Sequence, residues 1–276
     1  MAGKYSTRGS VMLEETNRND TSPGRFPGGV LWGTQGSDTR TGGYDDDIIR
    51  GWAEDGDPST DLGDGLFGFE GNDRIFGGGG ADQLEGEAGD DEVSGGSGDD
   101  ELRGGDGADE LRGDEGKDFL KGGAGNDRLE GGDDSDGILG GDGDDRLEGG
   151  NDRDVLLGGD GADILDGGPG SDDLYGGDGS SGNDGPNRAN GLNLLNDTFR
   201  FRRGDRSNDT DKIFDFENDR DSIELGSGLG VSNVRDALLH ATVKDGDTVF
   251  RFDTGDVLIV KGIADPNQLR DDLIIL

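Results

Sequence analysis

Aspartate recurs every nine residues without a slip, at Asp73, Asp82, Asp91, Asp100, Asp109, Asp118, Asp127, Asp136, Asp145, Asp154, Asp163 and Asp172. Paired carboxylates can move protons at an active site, but a constant period builds columns of like charge rather than one acid–base pair. Stacked at a strand spacing of about 4.8 Å, such carboxylates repel one another unless cations lie between them. Oxygen ligands select a hard divalent ion, and Ca²⁺ takes about six to eight oxygens from carboxylates and carbonyls in irregular geometry. Zinc and softer metals do not suit a chain with no Cys and a single His, His240.

The aspartates sit in a nonapeptide that fills residues 68–175 twelve times over. Position 1 is Gly, position 6 Asp and position 8 aliphatic in all twelve copies, while position 4 is Gly in ten and position 2 in nine. Glycine at positions 1, 2 and 4 permits a turn with positive φ. Positions 7–9 then make a three-residue strand whose middle side chain points inward. One inward aliphatic per repeat fills only a thin core, so two repeats, 18 residues, are expected to form each coil of a flattened roll with a parallel sheet on either side. One sheet stacks Ile75, Val93, Leu111, Leu129, Leu147 and Leu165, and the other Leu84, Leu102, Leu120, Ile138, Leu156 and Leu174. The block holds 33 acidic and 8 basic side chains, so −25 of the chain's −38 lies here. Six coils leave five gaps on each edge, room for roughly ten ions.

In this register the block resembles the hemolysin-type calcium-binding repeat of the RTX family, GGxGxDxUx with U a large aliphatic. The resemblance implies an all-β, right-handed parallel β-roll. It also implies that each ion takes the carbonyls of positions 2 and 4 and the Asp of one repeat, with the carbonyls of positions 1 and 3 and the Asp two repeats later. One such set is Gly78, Gly80, Asp82, Gly95, Ser97 and Asp100. Moved along the chain, the same assignment takes in Gly96, Gly98, Gly113 and Glu115, and the turn residues Gly105, Gly107, Gly123, Gly125, Gly141, Gly143, Gly159 and Gly161. Where position 2 is Phe69, Glu87 or Asp114, or position 4 is Asp134 or Asp152, the turn is expected to be distorted and its site weaker. Asp134 and Asp152 fall in one column.

With 28% hydrophobic residues and a net charge of −38, the chain without metal sits near the disordered class, and metal would supply folding free energy. Strong acidity argues against nucleic acid or anionic membranes as partners. No apolar run is long enough for a transmembrane helix, so no stable membrane insertion is expected. The N-terminus lacks the apolar region of a cleavable secretory signal. Millimolar external calcium would fill sites that cytosolic calcium leaves empty. Family members leave Gram-negative bacteria by type I secretion through an uncleaved C-terminal signal, and the ending Asp271-Asp272-Leu273-Ile274-Ile275-Leu276 looks like one. Localisation is therefore expected to be extracellular.

Five segments are expected: a lead-in or cap at 1–32, degenerate repeats at 33–67, the roll at 68–178, a linker at 179–196 and a β-rich C-terminal cap at 197–276. Val30–Trp32 reads as a first strand. Among the degenerate repeats Asp47 and Asp64 keep the ligand position, whereas Arg40 stands where an aliphatic belongs. Residues 51–58 break phase and imply a bulge or loop around Trp52. The run DGDPSTDLGDG at 55–65 lacks the Gly and Glu of an EF-hand loop. In the cap, 197–201, 211–216, 221–225, 248–252 and 256–260 alternate as strands. Ser232–Val243 reads as a short helix capped by Ser232, with Val234, Ala237, Leu238 and Ala241 on one face.

The one histidine, His240, sits in the expected helix and gives no Ser/His/Asp constellation, HExxH needs two, and no GK[ST] follows the Gly-rich turns, so the expectation is a protein that is not an enzyme. Arg200, Arg202, Arg203 and Arg206 form the one basic cluster, which could grip an acidic polysaccharide or a cell-surface component. The leading reading is a secreted calcium-binding structural or interaction module. The alternatives are an accessory module of an extracellular protease, lipase or polysaccharide-modifying enzyme, and a small secreted membrane-active protein.

Overall fold

Aliphatic side chains at every ninth residue, flanked by glycine, can be buried only by laying coil on coil. The structure, a computed structural model, describes residues 29–52, 56–177, 197–202, 210–216 and 220–276. Successive repeats alternate between two sheets, and each strand lies parallel to the one a full coil later, with Ile75 beside Val93 and Leu84 beside Leu102. One sheet has 11 strands, from Val30–Trp32 to Leu273–Ile275, and the other has 12, from Thr39–Thr41 onward. The position-8 side chains from Ile49 and Leu66 to Leu174 are at most 2% exposed and form a single file between the sheets. In the degenerate first coil Arg40 takes the place beside Leu66; its Nε donates to the Trp32 carbonyl at 3.2 Å and its guanidinium pairs with Asp38.

The strands are longer than the expected three residues. Arg74–Gly79, Gln83–Ala88, Glu92–Ser97 and Glu101–Asp106 each carry on through positions 1–3 of the next repeat. The reason is that like positions stack at one spacing, so the peptide groups of Gly78 and Gly96 align as well as those of Ile75 and Val93. The backbone bends within the strand, at position 2, where Gly96 has φ +112°. Phe69, Glu87 and Asp114 at position 2, and Asp134 and Asp152 at position 4, also take positive φ, at +75° to +80°, where the glycines with positive φ at these positions lie between +92° and +147°. The positive φ is therefore kept but shifted, at a steric cost to these five side chains.

Ile49 pairs with Ile75, so the coil between them holds eight residues more than the 18 that separate later partners. Among the described residues near this surplus, Pro58–Thr60 is a 3₁₀ turn capped by Asp57, whose Oδ1 accepts from Ser59 N at 3.1 Å. At the other end Thr198–Phe201, Ser222–Leu225 and Leu273–Ile275 add parallel rungs to the first sheet, and Thr210–Ile213 and Val257–Val260 to the second. Phe199, Phe201, Phe216 and Phe250 widen the core there. The linker expected at 179–196 and nearly all of the lead-in fall outside the described residues.

The helix expected over Ser232–Val243 is only Val234–Leu239, and its cap is Asn233, whose side chain accepts from Asp236 N at 3.0 Å. Ala241–Lys244 is instead a strand antiparallel to Asp247–Arg251. Asp245 (φ +57°) and Gly246 (φ +91°) form the tight turn between them, so a Asp-Gly hairpin with β-branched flanks overrode the helical spacing. Among the described residues no helix is long and apolar enough to cross a membrane.

Replacing Glu87 or Asp134 by Gly should relieve the left-handed strain and stabilise the folded roll by about 1 kcal/mol each. The readout is a higher denaturant midpoint at saturating calcium; a lower midpoint would contradict the strain.

Candidate metal centre

The position-6 aspartates face inward at the two edges of the roll. All of them, from Asp47 and Asp64 to Asp172, are at most 5% exposed. Each carboxylate is split in role. Its Oδ1 accepts the backbone N–H of the aspartate one coil earlier, as from Asp82 to Asp100 at 2.7 Å and from Asp73 to Asp91 at 2.7 Å. The ladder is unbroken along both edges. One runs from Asp47 through Asp73, Asp91, Asp109, Asp127, Asp145 and Asp163, and the other from Asp64 through Asp82, Asp100, Asp118, Asp136 and Asp154 to Asp172. The second oxygen, Oδ2, is buried with no hydrogen-bond partner in twelve successive aspartates, Asp64 to Asp163. A buried anionic oxygen left unpaired is costly.

These oxygens converge on others. A Cβ placed on Gly77 would lie 2.2 Å from Asp82 Oδ2 and 2.6 Å from the Gly95 carbonyl oxygen of the next coil. The same holds on Gly113, where Asp118 Oδ2 and the Gly131 carbonyl would lie at 2.2 and 2.6 Å. Positions 2 and 4 turn carbonyls toward the following coil: a Cβ on Gly96 would meet the Gly78 oxygen at 2.2 Å, and one on Gly98 the Gly80 oxygen at 1.7 Å. Gly105, Gly107, Gly123, Gly125, Gly141, Gly143, Gly159 and Gly161 repeat that arrangement down both edges. At position 3, the Ser97 and Glu115 carbonyls each accept an N–H from the turn below, Gly80 and Gly98, at 2.8 Å, which leaves one lone pair apiece. Carboxylate and carbonyl oxygens thus approach one another at successive coils. Among the described residues no three His, Cys, Asp or Glu side chains surround one point. Two carboxylates plus main-chain carbonyls is the donor set, and it fits a hard divalent cation such as Ca²⁺.

Burial is the main electrostatic effect. It pushes the Asp100 and Asp145 carboxyls up to about 8, with neighbouring aspartates adding to the rise and the backbone N–H opposing it. Asp73, Asp82, Asp118 and Asp127 are raised to about 6, and Asp64, Asp91, Asp109 and Asp136 to about 7, again chiefly by burial. A proton or a cation must answer each free oxygen.

Two features escaped the sequence reading. The ladders run on into the C-terminal segment: Asp163 N donates to Asp197 Oδ1 at 3.0 Å, Asp197 N to Asp221 Oδ1 at 3.1 Å, and Asp172 N to Asp211 Oδ1 at 3.1 Å. The surviving signal is the Asp-x-apolar triplet of Asp197/Phe199, Asp211/Ile213 and Asp221/Ile223, stripped of its glycines. At position 5, an outer ladder of Asn72, Asp90, Asp99, Asn126 and Asp144 accepts an N–H from the coil after, at 2.9–3.0 Å. His240 is remote from the columns, its Nδ1 lying 2.9 Å from the Arg251 carbonyl in the terminal hairpin. In the basic cluster Arg200 pairs with Glu224 and Arg202 with Asp166; Arg203 and Arg206 lie outside the described residues.

The profile of the RTX calcium-binding nonapeptide repeat (4 copies) matches residues 30–55, 67–102, 103–138, 139–174 and 148–185. No curated protein matches the chain. Among solved structures the chain is similar to the extracellular lipase LipA from Serratia marcescens, at 17% identity and a TM-score of 0.29, over 92% of this chain and 40% of the lipase. At that score the likeness carries no weight for function, and the chain spans well under half of the lipase's length.

The raised carboxyls fix the sign of the pH dependence. Without metal, the folded roll holds protons that the unfolded chain releases near its ordinary value of 3.8, so its stability is full below that value and is lost as pH rises through about 6 to 8. Circular dichroism in chelator should show β-structure at pH 4 fading by pH 8, and calcium affinity should fall on acidification. β-content that instead grows with pH in chelator would contradict this.

Proposed function

Because this chain belongs to the RTX calcium-binding nonapeptide repeat family, a family that binds Ca²⁺, we propose that it is a secreted protein that folds around roughly ten calcium ions and serves outside the cell as a structural or interaction module. The calcium-binding β-roll is the settled part. The fold is all-β, its coils stack in parallel, and its repeats are those of the family.

The observation that carries the rest is the file of buried, unpartnered Oδ2 atoms at each edge. A chain with −38 net charge and one core aliphatic per repeat has too little apolar burial to order its backbone alone. Divalent ions would cancel the repulsion within each column and link one coil to the next, so metal binding and folding become a single event. Such a protein would stay open in the low-calcium cytosol and close outside the cell, which supports export as an unfolded chain. RTX repeats are typical of secreted proteins. The non-catalytic role is supported by the donor set: the position-6 carboxylates form a periodic lattice rather than one acid–base pair. A polysaccharide grip at the arginine cluster draws little support, because Arg200 and Arg202 already have carboxylate partners.

A calcium titration at pH 7.5 followed by circular dichroism, with metal counted on the folded product, tests this reading. The expected result is a cooperative gain of β-structure and roughly ten bound ions per chain, with any excess assigned to the gaps that Asp47 and Asp64 add at one end and Asp197, Asp211 and Asp221 at the other. A β-rich spectrum in chelator at that pH would sink it.

A further inference from the structure

The eight surplus residues of the first complete coil end in a carboxylate that no repeat supplies. Asp61 is 5% exposed; its carboxyl lies against the Leu62 N–H and the Asp64 carboxyl, and no hydrogen bond of ordinary geometry reaches either of its oxygens. Other acidic side chains at the third position, such as Asp106 and Glu115, are exposed. Asp61 is turned inward by its setting. Asp57 caps the Pro58–Thr60 turn through Ser59, and Thr60 Oγ1 donates to Gln35 Oε1 at 2.9 Å on the preceding coil. The Asp61 carboxylate then faces that of Asp64, whose own Oδ2 is buried and unpartnered.

The neighbours on every side are accounted for. Asp64 Oδ1 accepts from Asp38 N, and Asp38 Oδ2 accepts from the Thr34 hydroxyl at 2.8 Å while its Oδ1 pairs with Arg40 at 3.3 Å. Asp82, one coil on, gives its Oδ1 to Asp64 N at 2.6 Å. Among the described residues no ion pair reaches Asp61. A Cβ on Gly51 would lie 2.1 Å from Asp64 Oδ2 and 2.3 Å from the Gly77 carbonyl, so the main-chain oxygen found in the regular gaps is present here too.

We propose that the inserted turn ending at Asp61 builds a calcium site of its own, in which Asp61 offers both oxygens and Asp64 its Oδ2, and that this site fills before the regular gaps. The proposal rests on the calcium-roll reading above. Each regular coil contributes one free carboxylate oxygen at an edge, whereas this coil contributes three from two side chains. Calcium affinity rises with the charge gathered around the ion. A site occupied first would hold the N-terminal coil closed against the next and give later coils an ordered edge on which to stack.

Both tryptophans of the chain stand at this coil, Trp32 and Trp52, with ring centroids 6.4 Å apart, and Trp52 lies over Gly78. Terbium, a hard ion that occupies oxygen sites of this kind, emits when excited through a nearby tryptophan and so reports on this end of the roll alone. The experiment is a terbium titration of the full metal-free chain, with tryptophan-sensitised emission and circular dichroism read together. Emission should reach its plateau within the first one or two equivalents, ahead of the β-transition. Asp61→Asn should abolish the early phase, while Asp106→Asn, which removes the same charge from an exposed position, should keep it. Emission that grows in step with total loading, or an early phase intact in Asp61→Asn, would overturn the proposal while leaving the roll standing. Absence of any metal-induced β-transition would overturn the roll reading as well. Should Asp61→Asn fail to fold, the order of the two signals in the unaltered chain decides.

Discussion

The fold depends on an aspartate whose two oxygens do different work. One closes a hydrogen bond to the backbone of the coil before, at 2.6–2.9 Å in the regular repeats, and so fixes where the side chain must sit. The other is thereby driven out of water with nothing of the protein's own to meet it. Geometry and charge are in conflict at every rung. The backbone asks for the carboxylate inside, and the solvent asks for it outside. A cation resolves the conflict, and the glycine turns that face it with carbonyls are what a hard cation requires.

The remaining architecture follows from that arrangement. The first glycine of each repeat is obligatory because its missing side chain is the space where Asp Oδ2 and the next carbonyl meet. The inward aliphatic is buried completely, but alone it makes a core one residue wide. The outward ion pairs, such as Arg74 with Glu92 and Arg128 with Glu110, are solvent-exposed and contribute little. The sheets are therefore held by their backbone ladders and by whatever neutralises the edges.

Much of this was legible in the residues themselves. The nine-residue period, the inward Leu and Ile, the alternation of two sheets and the inward aspartates all follow from strict phasing, because a repeated chemical environment demands a repeated residue. What escaped did so where phasing lapses. Asp197, Asp211 and Asp221 stack on the columns without their glycines, so only the Asp-x-apolar triplet marked them. Asp61 lies in a coil lengthened by eight residues, and a lone acid in an acidic chain carries no signal of burial. The helix was overextended because Ala241 and Val243 satisfy a helical spacing as well as a strand, and the Asp245-Gly246 turn decides between them. The strands run longer than the side-chain pattern because the ladder is carried on by glycine peptide groups that have no side chain to mark them.

The unequal lengths of the coils have a consequence for how such a protein can change. Partners on the aspartate ladders are ordinarily 18 residues apart, yet the separations of 24, 26, 34 and 39 residues close with the same hydrogen bond. Closing a longer loop costs only slightly more. The roll thus tolerates splicing at its margins: a foreign segment can be grafted between two rungs without shifting the indexing of any rung downstream. Its spine is conservative and its margins are free to diversify.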